Sequence, residues 1–241
     1  MNLYLYPQHA YYFSSTRSKP WRGWYKIIPY LSKFNNPYVI DFGCGNGRFL
    51  RFLNDNLKSF NYYGVDYSKT LLDITKNLSQ KIKKNIKLFL IDLNTVDMQS
   101  FVKQIKCKFD CIVIFGLMHH LKTYNARLNI MKISSSILND IGYIVVTWWK
   151  FLDFQKYKKK ILIDLDYTNS FYNGDNSSPH SFEYNYIMKF GLNAQRFCHY
   201  CTDIEINNLI EQANLQIVEK FYSDGQDDKE NLYTILTLYR Q

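Results

Sequence analysis

The sequence predicts an α/β fold in which a mostly parallel sheet of seven strands carries helices on both faces and ends in an antiparallel hairpin. Short apolar runs alternate with helical patterns up to about residue 150, as in successive βα units. A glycine-rich loop follows the first apolar run, where a parallel strand turns into a helix. The last two apolar runs are joined by a short polar turn, which suits antiparallel neighbours.

Length and composition predict one domain that spans residues 1–241. The 46% hydrophobic content is enough to bury a full core. Residues 1–13 have neither a basic start nor an unbroken apolar stretch, and no membrane span is predicted, so a cytoplasmic location is expected. Five scattered cysteines indicate a reducing compartment. The net charge of +9 favours an anionic macromolecular partner, although a coding bias towards Lys, Asn, Ile and Tyr would also produce it.

The first predicted strand, residues 38–42, leads into a D-x-G-x-G-x-G loop that consists of Asp41, Gly43, Gly45 and Gly47. Glycines at alternate positions permit positive φ and leave no Cβ in the way, so a ligand can lie against the main chain. A dinucleotide loop would instead have its glycines grouped as G-x-G-x-x-G. The acid at the head of this loop suits a cation better than a phosphate.

The next two predicted strands also end in acids. Residues 60–66 end at Asp66, whose carboxylate can accept both ribose hydroxyls of a nucleoside. Residues 86–91 are followed by Asp92. A helix cap or a solvated loop would explain any one of these acids, but three at successive strand ends predict a nucleoside cofactor site.

The remaining elements continue the alternation until an insertion interrupts it. Strands are predicted at 109–116 and 142–149, and helices at 22–34, 46–57, 68–80, 95–105 and 122–138. Residues 151–195 break the pattern with a run of lysines and then a turn-rich stretch at 173–179. A helix at 202–213 and strands at 215–222 and 231–239 complete the fold.

The loop from Asp41 to Gly47 resembles motif I of class I S-adenosylmethionine (SAM) methyltransferases. That resemblance implies their Rossmann-like seven-stranded sheet, SAM as cofactor and a set of binding residues: Asp41, Gly43, Gly45, Gly47, Asp66, Tyr67, Asp92, Leu93 and Phe115. The loop after the fourth strand lacks the Asn-Pro-Pro-aromatic set of adenine amino methyltransferases. Cys111 lies in mid-strand as a small apolar residue, so it is not expected to act as the nucleophile for methylation at C5 of a pyrimidine.

Two segments carry a more particular resemblance. Residues 13–21, with the pattern F-S-x-T-R-x-x-P-W, and residues 195–200 resemble blocks of the eukaryotic-type tRNA wobble-uridine methyltransferases, which esterify 5-carboxymethyluridine. The resemblance implies transfer of a methyl group to a carboxylate, with the anticodon region of a tRNA as partner. It also implies that residues 1–34 form an N-terminal substrate segment and that the insertion at 151–195 lies on the substrate side.

The resemblance suggests roles for a few side chains. An ionised carboxylate needs no general base, so the protein has to align it and exclude water. Arg17 is expected to contact the substrate carboxylate or a phosphate, since a guanidinium offers a bidentate fork, although a local pairing would also explain it. His119 either orients the substrate or merely caps its turn. Further candidates are Arg196 and His199 on the opposite lip, and Trp21, Trp148 and Trp149 as stacking groups or core.

Three further expectations concern partners. The lysines of the insertion, Lys156, Lys158, Lys159 and Lys160, lie either on the RNA path or on a solvated surface. No metal site is predicted, because the cysteines and histidine of residues 198–201 cannot close a tetrahedral site alone. The resembled family pairs with a small zinc-binding activator protein, which the apolar edge strand 86–91 would bind unless the chain itself covers it. The alternative function is O- or N-methylation of a small molecule.

Overall fold

The computed structural model describes residues 7–94, 101–103, 105–165, 184–191 and 194–239. Its strands are β1 Tyr38–Phe42, β2 Asn61–Asp66, β3 Asn85–Leu90, β4 Phe109–Ile114, β5 Leu138–Trp149, β6 Ile161–Asp164, β7 Asn185–Phe190, β8 Ala194–His199, β9 Leu215–Ser223 and β10 Asn231–Leu238. Its helices are α1 Pro7–Ser15, α2 Ile28–Leu31, α3 Arg48–Asn56, α4 Lys69–Ser79, α5 Tyr124–Ile137, α6 Gln155–Lys158 and α7 Asp203–Gln212. Short 3₁₀ turns span Arg22–Ile27, Met118–His120 and Phe151–Asp153.

Seven strands form the main sheet in the order β3-β2-β1-β4-β5-β10-β9. The pairings from β3 to β5 are parallel, whereas β10 runs antiparallel to both β5 and β9. This confirms the predicted fold class. The order places β3 at one edge of the sheet and brings the carboxyl ends of β1, β2 and β4 together at one side.

Apolar cores lie on both faces of the sheet because successive residues of a buried strand point in opposite directions. Ile112 and Ile114 of β4 belong to the core that α5 and α7 cover, whereas Val113 belongs to the core under α3 and the N-terminal segment. Hydroxyl groups cap the main helices. Ser68, Thr123 and Thr202 each accept a hydrogen bond from a backbone N–H in the first turn, which stabilises α4, α5 and α7.

Several element bounds differ from the predicted ones. The predicted helix at 22–34 is a 3₁₀ turn followed by the single turn of α2, and α1 was not predicted. The fifth strand begins at Leu138 rather than at 142, because a register shift in its pairing with β4 lets an earlier segment pair as well. Most of the predicted helix at 95–105 lies outside the described residues, although 101–103 are helical.

The insertion contains a second, antiparallel sheet in the order β6-β7-β8, which the sequence did not predict. This sheet runs to His199, so the insertion extends beyond its predicted end at 195. A small core of Phe151, Tyr186, Met188 and Cys198 attaches it to the end of β5. The predicted turn at 173–179 lies outside the described residues.

Two further observations concern the cysteines and the helices. All five cysteines are free thiols. In the part of the chain that the structure describes, no helix is both long and apolar enough to cross a membrane.

Candidate functional site

A cavity of about 640 Å³ lies at the carboxyl ends of β1, β2 and β4. Several separate parts of the chain supply its walls, namely described residues within 12–24, 41–49, 66–71, 91–94, 115–121, 149–160, 189–191, 196–197 and 224–231. Ligands of open α/β sheets bind in this crevice, because the loops that leave the strand ends surround it. One end of the cavity is acidic and the other is rich in arginine and aromatic side chains.

The glycine-rich loop forms the floor of the acidic end. Gly43 and Gly45 have positive φ values of 81° and 56°, and both line the cavity. Gly47 also has positive φ, but it does not line the cavity. A Cβ on Gly47 would lie 2.9 Å from Thr75, so this glycine lets α3 pack closely against α4. Gly47 thus has a packing role outside the cavity wall, and its contact with the cofactor stays a prediction.

Asp66 is held rigidly at the end of β2. Its carboxylate accepts hydrogen bonds from the backbone N–H groups of Gly45 and Ser68, both at 2.8 Å. Burial raises the pKa of Asp66 to about 6, although these backbone hydrogen bonds act in the opposite direction. The carboxylate therefore faces the cavity in one fixed orientation.

Asp41 lies beside it, buried at the end of β1. It accepts a 2.7 Å hydrogen bond from the Tyr62 hydroxyl. The pKa of Asp41 is raised to about 7, chiefly by burial and in part by the neighbouring Asp66, against the lowering effects of the Tyr62 hydrogen bond and the charge of Arg48. Neither carboxylate forms an ion pair with a described residue. The charge of Arg48 acts on Asp41 only from a distance, so two buried acids without an ion-pair partner fit a cofactor that carries positive charge.

The other predicted cofactor residues also line the cavity. Asp92 follows β3 and accepts a hydrogen bond from the backbone N–H of Asn94 at 2.9 Å. Leu93 and Phe115 are buried and offer apolar walls on which a flat ring can lie. Tyr67 lies beside the glycine-rich loop. The structure thus brings eight of the nine predicted cofactor residues together, with Gly47 as the exception.

Two neighbouring histidines, His119 and His120, also line the cavity. The rings of His119 and His120 lie 4.1 Å apart in the turn after β4. Burial lowers the pKa of His119 well below its usual value, and it lowers the pKa of His120 to about 3, with the charge of Arg196 acting in the same direction. Among the described residues, the buried Nδ1 of His119 has no hydrogen-bond partner. Both rings are therefore neutral at physiological pH.

Two guanidinium groups lie near the ring of Phe190, where aromatic side chains line the cavity. The Arg196 guanidinium lies 5.0 Å from the centroid of this ring and 4.8 Å from the ring of Trp149. The Arg17 guanidinium lies 5.5 Å from the Phe190 ring and 4.2 Å from the ring of Phe13, which packs beside Gly45, so Arg17 lies between this region and the glycine-rich loop. Within the described chain, the buried Nε of Arg196 has no hydrogen-bond partner. This end of the cavity can therefore receive an anion beside a flat group.

Two of the predicted site residues lie elsewhere. Trp148 is 1% exposed and donates a 3.0 Å hydrogen bond to Thr234 in the core, because it points to the opposite face of the sheet from Trp149. His199 is buried between Glu205 and Asn185 and does not line the cavity. Trp148 is thus not a wall of the cavity, and His199 is not on its lip. Trp21 does line it, against Phe115.

The sequence did not single out Asp224 or Arg48. Asp224 lines the cavity and accepts hydrogen bonds from the backbone of Gly23 and from Asn231 and Tyr233, at 2.6 to 3.1 Å. Burial and the charge of Arg17 lower the pKa of Arg48 to about 10, and its guanidinium lies about 5 Å from two tryptophan rings of the N-terminal segment. A polar turn was predicted at 223–228, but nothing local indicates that it packs on residues 21–24.

Comparisons with known proteins agree with this geometry. The sequence profile of a family described as a methyltransferase domain matches residues 13–220. The tRNA (carboxymethyluridine(34)-5-O)-methyltransferase alkbh8 of Xenopus tropicalis is 29% identical over 156 residues, which cover 64% of this chain and 22% of that protein. This chain thus spans less than a quarter of the length of that relative.

Solved structures share the fold at low sequence identity. An S-adenosylmethionine-dependent methyltransferase from Clostridium acetobutylicum has a TM-score of 0.58 and 17% identity, over 96% of this chain and 97% of that one. Magnesium protoporphyrin IX methyltransferase from Synechocystis, crystallised with bound SAH, has a TM-score of 0.57 and 12% identity, over 88% of this chain and 80% of that one.

Proposed function

We propose that this chain, which belongs to the family of methyltransferase domains and is a SAM-dependent methyltransferase, acts on the carboxylate of a 5-carboxymethyl wobble uridine in tRNA. The observation that carries the proposal is the pair of guanidinium groups, Arg17 and Arg196, which both line the cavity near the ring of Phe190. The Xenopus relative, a tRNA (carboxymethyluridine(34)-5-O)-methyltransferase, supports the same acceptor.

The residues of the acidic end fit SAM. Asp66 is placed to accept hydrogen bonds from the ribose hydroxyls, and Asp92, Leu93 and Phe115 surround the position of a base. The buried carboxylate of Asp41 offsets positive charge. When bound, SAM supplies a methyl group that is activated by its sulfonium.

The other residues of the cavity have to hold the methyl acceptor in line with the methyl group of SAM. A carboxylate is ionised at neutral pH and needs no proton removed, so alignment and the exclusion of water determine the rate. Arg17 and Arg196 can each form two hydrogen bonds to a carboxylate or a phosphate. The neutral ring of His119 can form a hydrogen bond without repelling either arginine. Trp149 and Trp21 offer faces on which an extruded base can stack.

Nucleoside analysis of tRNA tests the acceptor. Cells that lack the protein should accumulate 5-carboxymethyluridine and lose its methyl ester, and purified protein with SAM should restore the ester on that tRNA. The free nucleoside tests the alternative function. A kcat/KM for free 5-carboxymethyluridine equal to that for the tRNA would instead favour a small-molecule methyltransferase.

Arginine variants test the observation on which the proposal depends. Arg17→Lys and Arg196→Lys should each lower kcat on the order of tenfold or more with little change in SAM affinity, because a point charge cannot replace the fork. Arg51→Lys, an exposed change on α3, is the matched control. Normal turnover of both cavity variants would contradict the assigned role.

We also propose a partner for the edge strand β3. Its outermost position in the sheet leaves one side of its backbone open among the described strands, and Leu90 is 57% exposed. Such an edge favours addition of another strand. The small zinc-binding activator protein of the resembled tRNA methyltransferases is the partner that we propose.

A further inference from the structure

A buried ion-pair network links the inserted sheet to the histidine turn, although none of its charged members lines the cavity. Glu205, in the first turn of α7, lies between two basic groups. Its Oε1 accepts a hydrogen bond from Arg127 Nε at 2.6 Å, and its Oε2 lies 2.7 Å from His199 Nε2. Arg127 and His199 are each 1% exposed. Both basic groups are thus shielded from water and depend on the carboxylate of Glu205.

The network reaches the cavity from two directions. Arg127 Nη1 donates a 2.8 Å hydrogen bond to the carbonyl oxygen of Leu121, the residue that follows His119 and His120. At its other end, His199 is the last residue of β8, the strand that carries Arg196. A single carboxylate therefore connects the histidine turn of the main domain with the strand of the insertion that supplies an arginine.

A direct contact closes this chain of interactions into a ring. His120 Nδ1 lies 3.3 Å from the carbonyl oxygen of Phe197, which is adjacent to Arg196 in β8. The path from Leu121 through Arg127, Glu205 and His199 thus returns to the histidine turn through β8. A closed ring of short contacts restrains distance better than a single contact, because the two sides cannot slide past each other without breaking a bond.

Stability alone does not account for this arrangement. Burial would by itself raise the pKa of Glu205, but the hydrogen bond from His199 and the charges of His199 and Arg127 lower it, so the carboxylate is ionised. Buried ion pairs are often no more stable than apolar residues of the same volume. Glu205, His199 and Cys201 have possible metal-ligand atoms within 4.8 Å, but Arg127 and His199 already contact both carboxylate oxygens. The network is better suited to fixing positions than to holding a cation.

We propose that Glu205 is a positioning residue that sets the distance between the His119–His120 turn and Arg196. The inference rests on the proposed function only in taking these cavity side chains to hold the acceptor. Loss of the link should let the insertion shift against the main domain. Misalignment of this kind lowers turnover without removing the binding groups.

Two variants break the ring at different points. Glu205→Gln removes the charge between Arg127 and His199. Arg127→Lys keeps a charge beside Glu205, but one ammonium cannot reproduce the two separate nitrogen contacts with Glu205 and Leu121. Glu211→Gln, an exposed change on the same helix, is the matched control. The second variant preserves the buried charge balance, so it tests the link if Glu205→Gln does not fold.

Histidine ring signals report on the link without any substrate. In the full-length protein with ¹⁵N-labelled imidazoles, both variants should shift or broaden the NMR signals of His119 and His120, and the control should leave them unchanged. With the acceptor, both variants should lower kcat about tenfold while SAM affinity and the KM for the acceptor change less than about twofold.

The two readouts separate failure of this inference from failure of the proposed function. Folded variants with unchanged His119 and His120 signals would overturn the inference, whatever the acceptor is. Shifted signals in a protein that does not act on tRNA would support the inference and overturn the proposed acceptor. Shifted signals with unchanged kcat would show that the network holds the two elements together without affecting turnover, and so would overturn its positioning role.

Discussion

The acidic end of the cavity depends on two carboxylates that are unfavourable without a ligand. Asp41 and Asp66 are both buried, and burial raises the pKa of each above 3.8, the usual value for this side chain. Burial thus favours the protonated forms of both carboxyl groups, whereas a positively charged cofactor favours their ionised forms. The same residues thus make the ligand-free protein less stable and the ligand-bound protein more stable.

Asp41→Asn should stabilise the ligand-free protein at high pH. The folded-state pKa of Asp41 is about 7 and its unfolded value is near 3.8, so the folded chain binds this proton more tightly. Proton binding at Asp41 therefore stabilises the folded state. This contribution is fully present below the unfolded pKa and is lost as the pH rises through the folded pKa of about 7. At pH 8 the variant should therefore gain on the order of 2 kcal/mol in the free energy of unfolding, measured by urea denaturation.

The pH dependence provides the control for this prediction. The gain should shrink as the pH falls from 8 to 5, because folded wild-type Asp41 binds a proton below its folded-state pKa and the buried charge is then removed. A difference between the two proteins that is constant over this range would show that Asp41 does not titrate near neutrality.

Asp66→Ala should weaken SAM binding on the order of 2 to 4 kcal/mol, since it removes charge-assisted hydrogen bonds to the ribose. The variant also loses the hydrogen bond that orders Gly45 in the loop. Titration calorimetry measures the affinity, and Asp73→Ala on the exposed surface of α4 is the control. An affinity near that of the wild type would remove Asp66 from the cofactor site.

At the scale of elements, the inserted sheet and its preceding lysines form one rim of the cavity. Lys160 and Lys189 line the cavity, and the backbone N–H of Lys189 donates a 2.7 Å hydrogen bond to the carbonyl oxygen of Lys160. Lys158 and Lys159 are exposed beside them. Lys156 instead pairs with Glu230, so it is the member of the run that is least available to a phosphate.

Replacing Lys158, Lys159 and Lys160 together with alanine should weaken tRNA binding and reduce its salt dependence. If each contacts one phosphate, the slope of log K against log salt should fall by about 2 to 3. SAM affinity should not change. Filter binding at several salt concentrations measures the slope, and replacement of Lys81, Lys83 and Lys84 is the matched control. An unchanged slope would mean that the run is a solvated surface.

The sequence predicts the cofactor half better than the substrate half for a physical reason. A loop and the acids at strand ends are local patterns, so Asp41, Asp66 and Asp92 could be placed together before the structure was known. Trp148 and Trp149 could not be told apart, because a strand that is buried on both faces has an unbroken apolar sequence with no alternation. The role of Asp224 depends on a contact with Gly23, 201 residues away in the chain.

At the scale of the whole molecule, the edge of the sheet formed by β3 lies beside the cofactor half of the fold. The exposed side chains of β3 lie next to the cofactor half of the fold, since β3 pairs only with β2 among the described strands. A strand added there would extend the sheet beside Asp92, which follows β3 directly. A partner at this edge could therefore affect both the solubility of the protein and the cofactor site.

Co-expression with a candidate small zinc-binding activator should yield a heterodimer that is more soluble and turns over faster than the isolated chain. Leu90→Asp should prevent this association by placing a charge on the edge strand. Ile141→Asp is the matched control, because Ile141 is 66% exposed elsewhere on the sheet. A monodisperse, monomeric and fully active isolated chain that is unaffected by the candidate would exclude the partner.

The contact between Gly23 and β10 has a consequence for the order of folding. A Cβ at Gly23 would lie 2.4 Å from the Tyr233 ring, so the segment with Trp21 and Trp24 fits against a strand about 210 residues later in the chain. β10 also inserts between β5 and β9, and β9 has no other partner among the described strands. A chain truncated before β10 would therefore lack one wall of the cavity, however well its glycine-rich loop had formed. Competence to bind the acceptor should thus depend on the pairing of β10 with β5 and not on the glycine-rich loop alone.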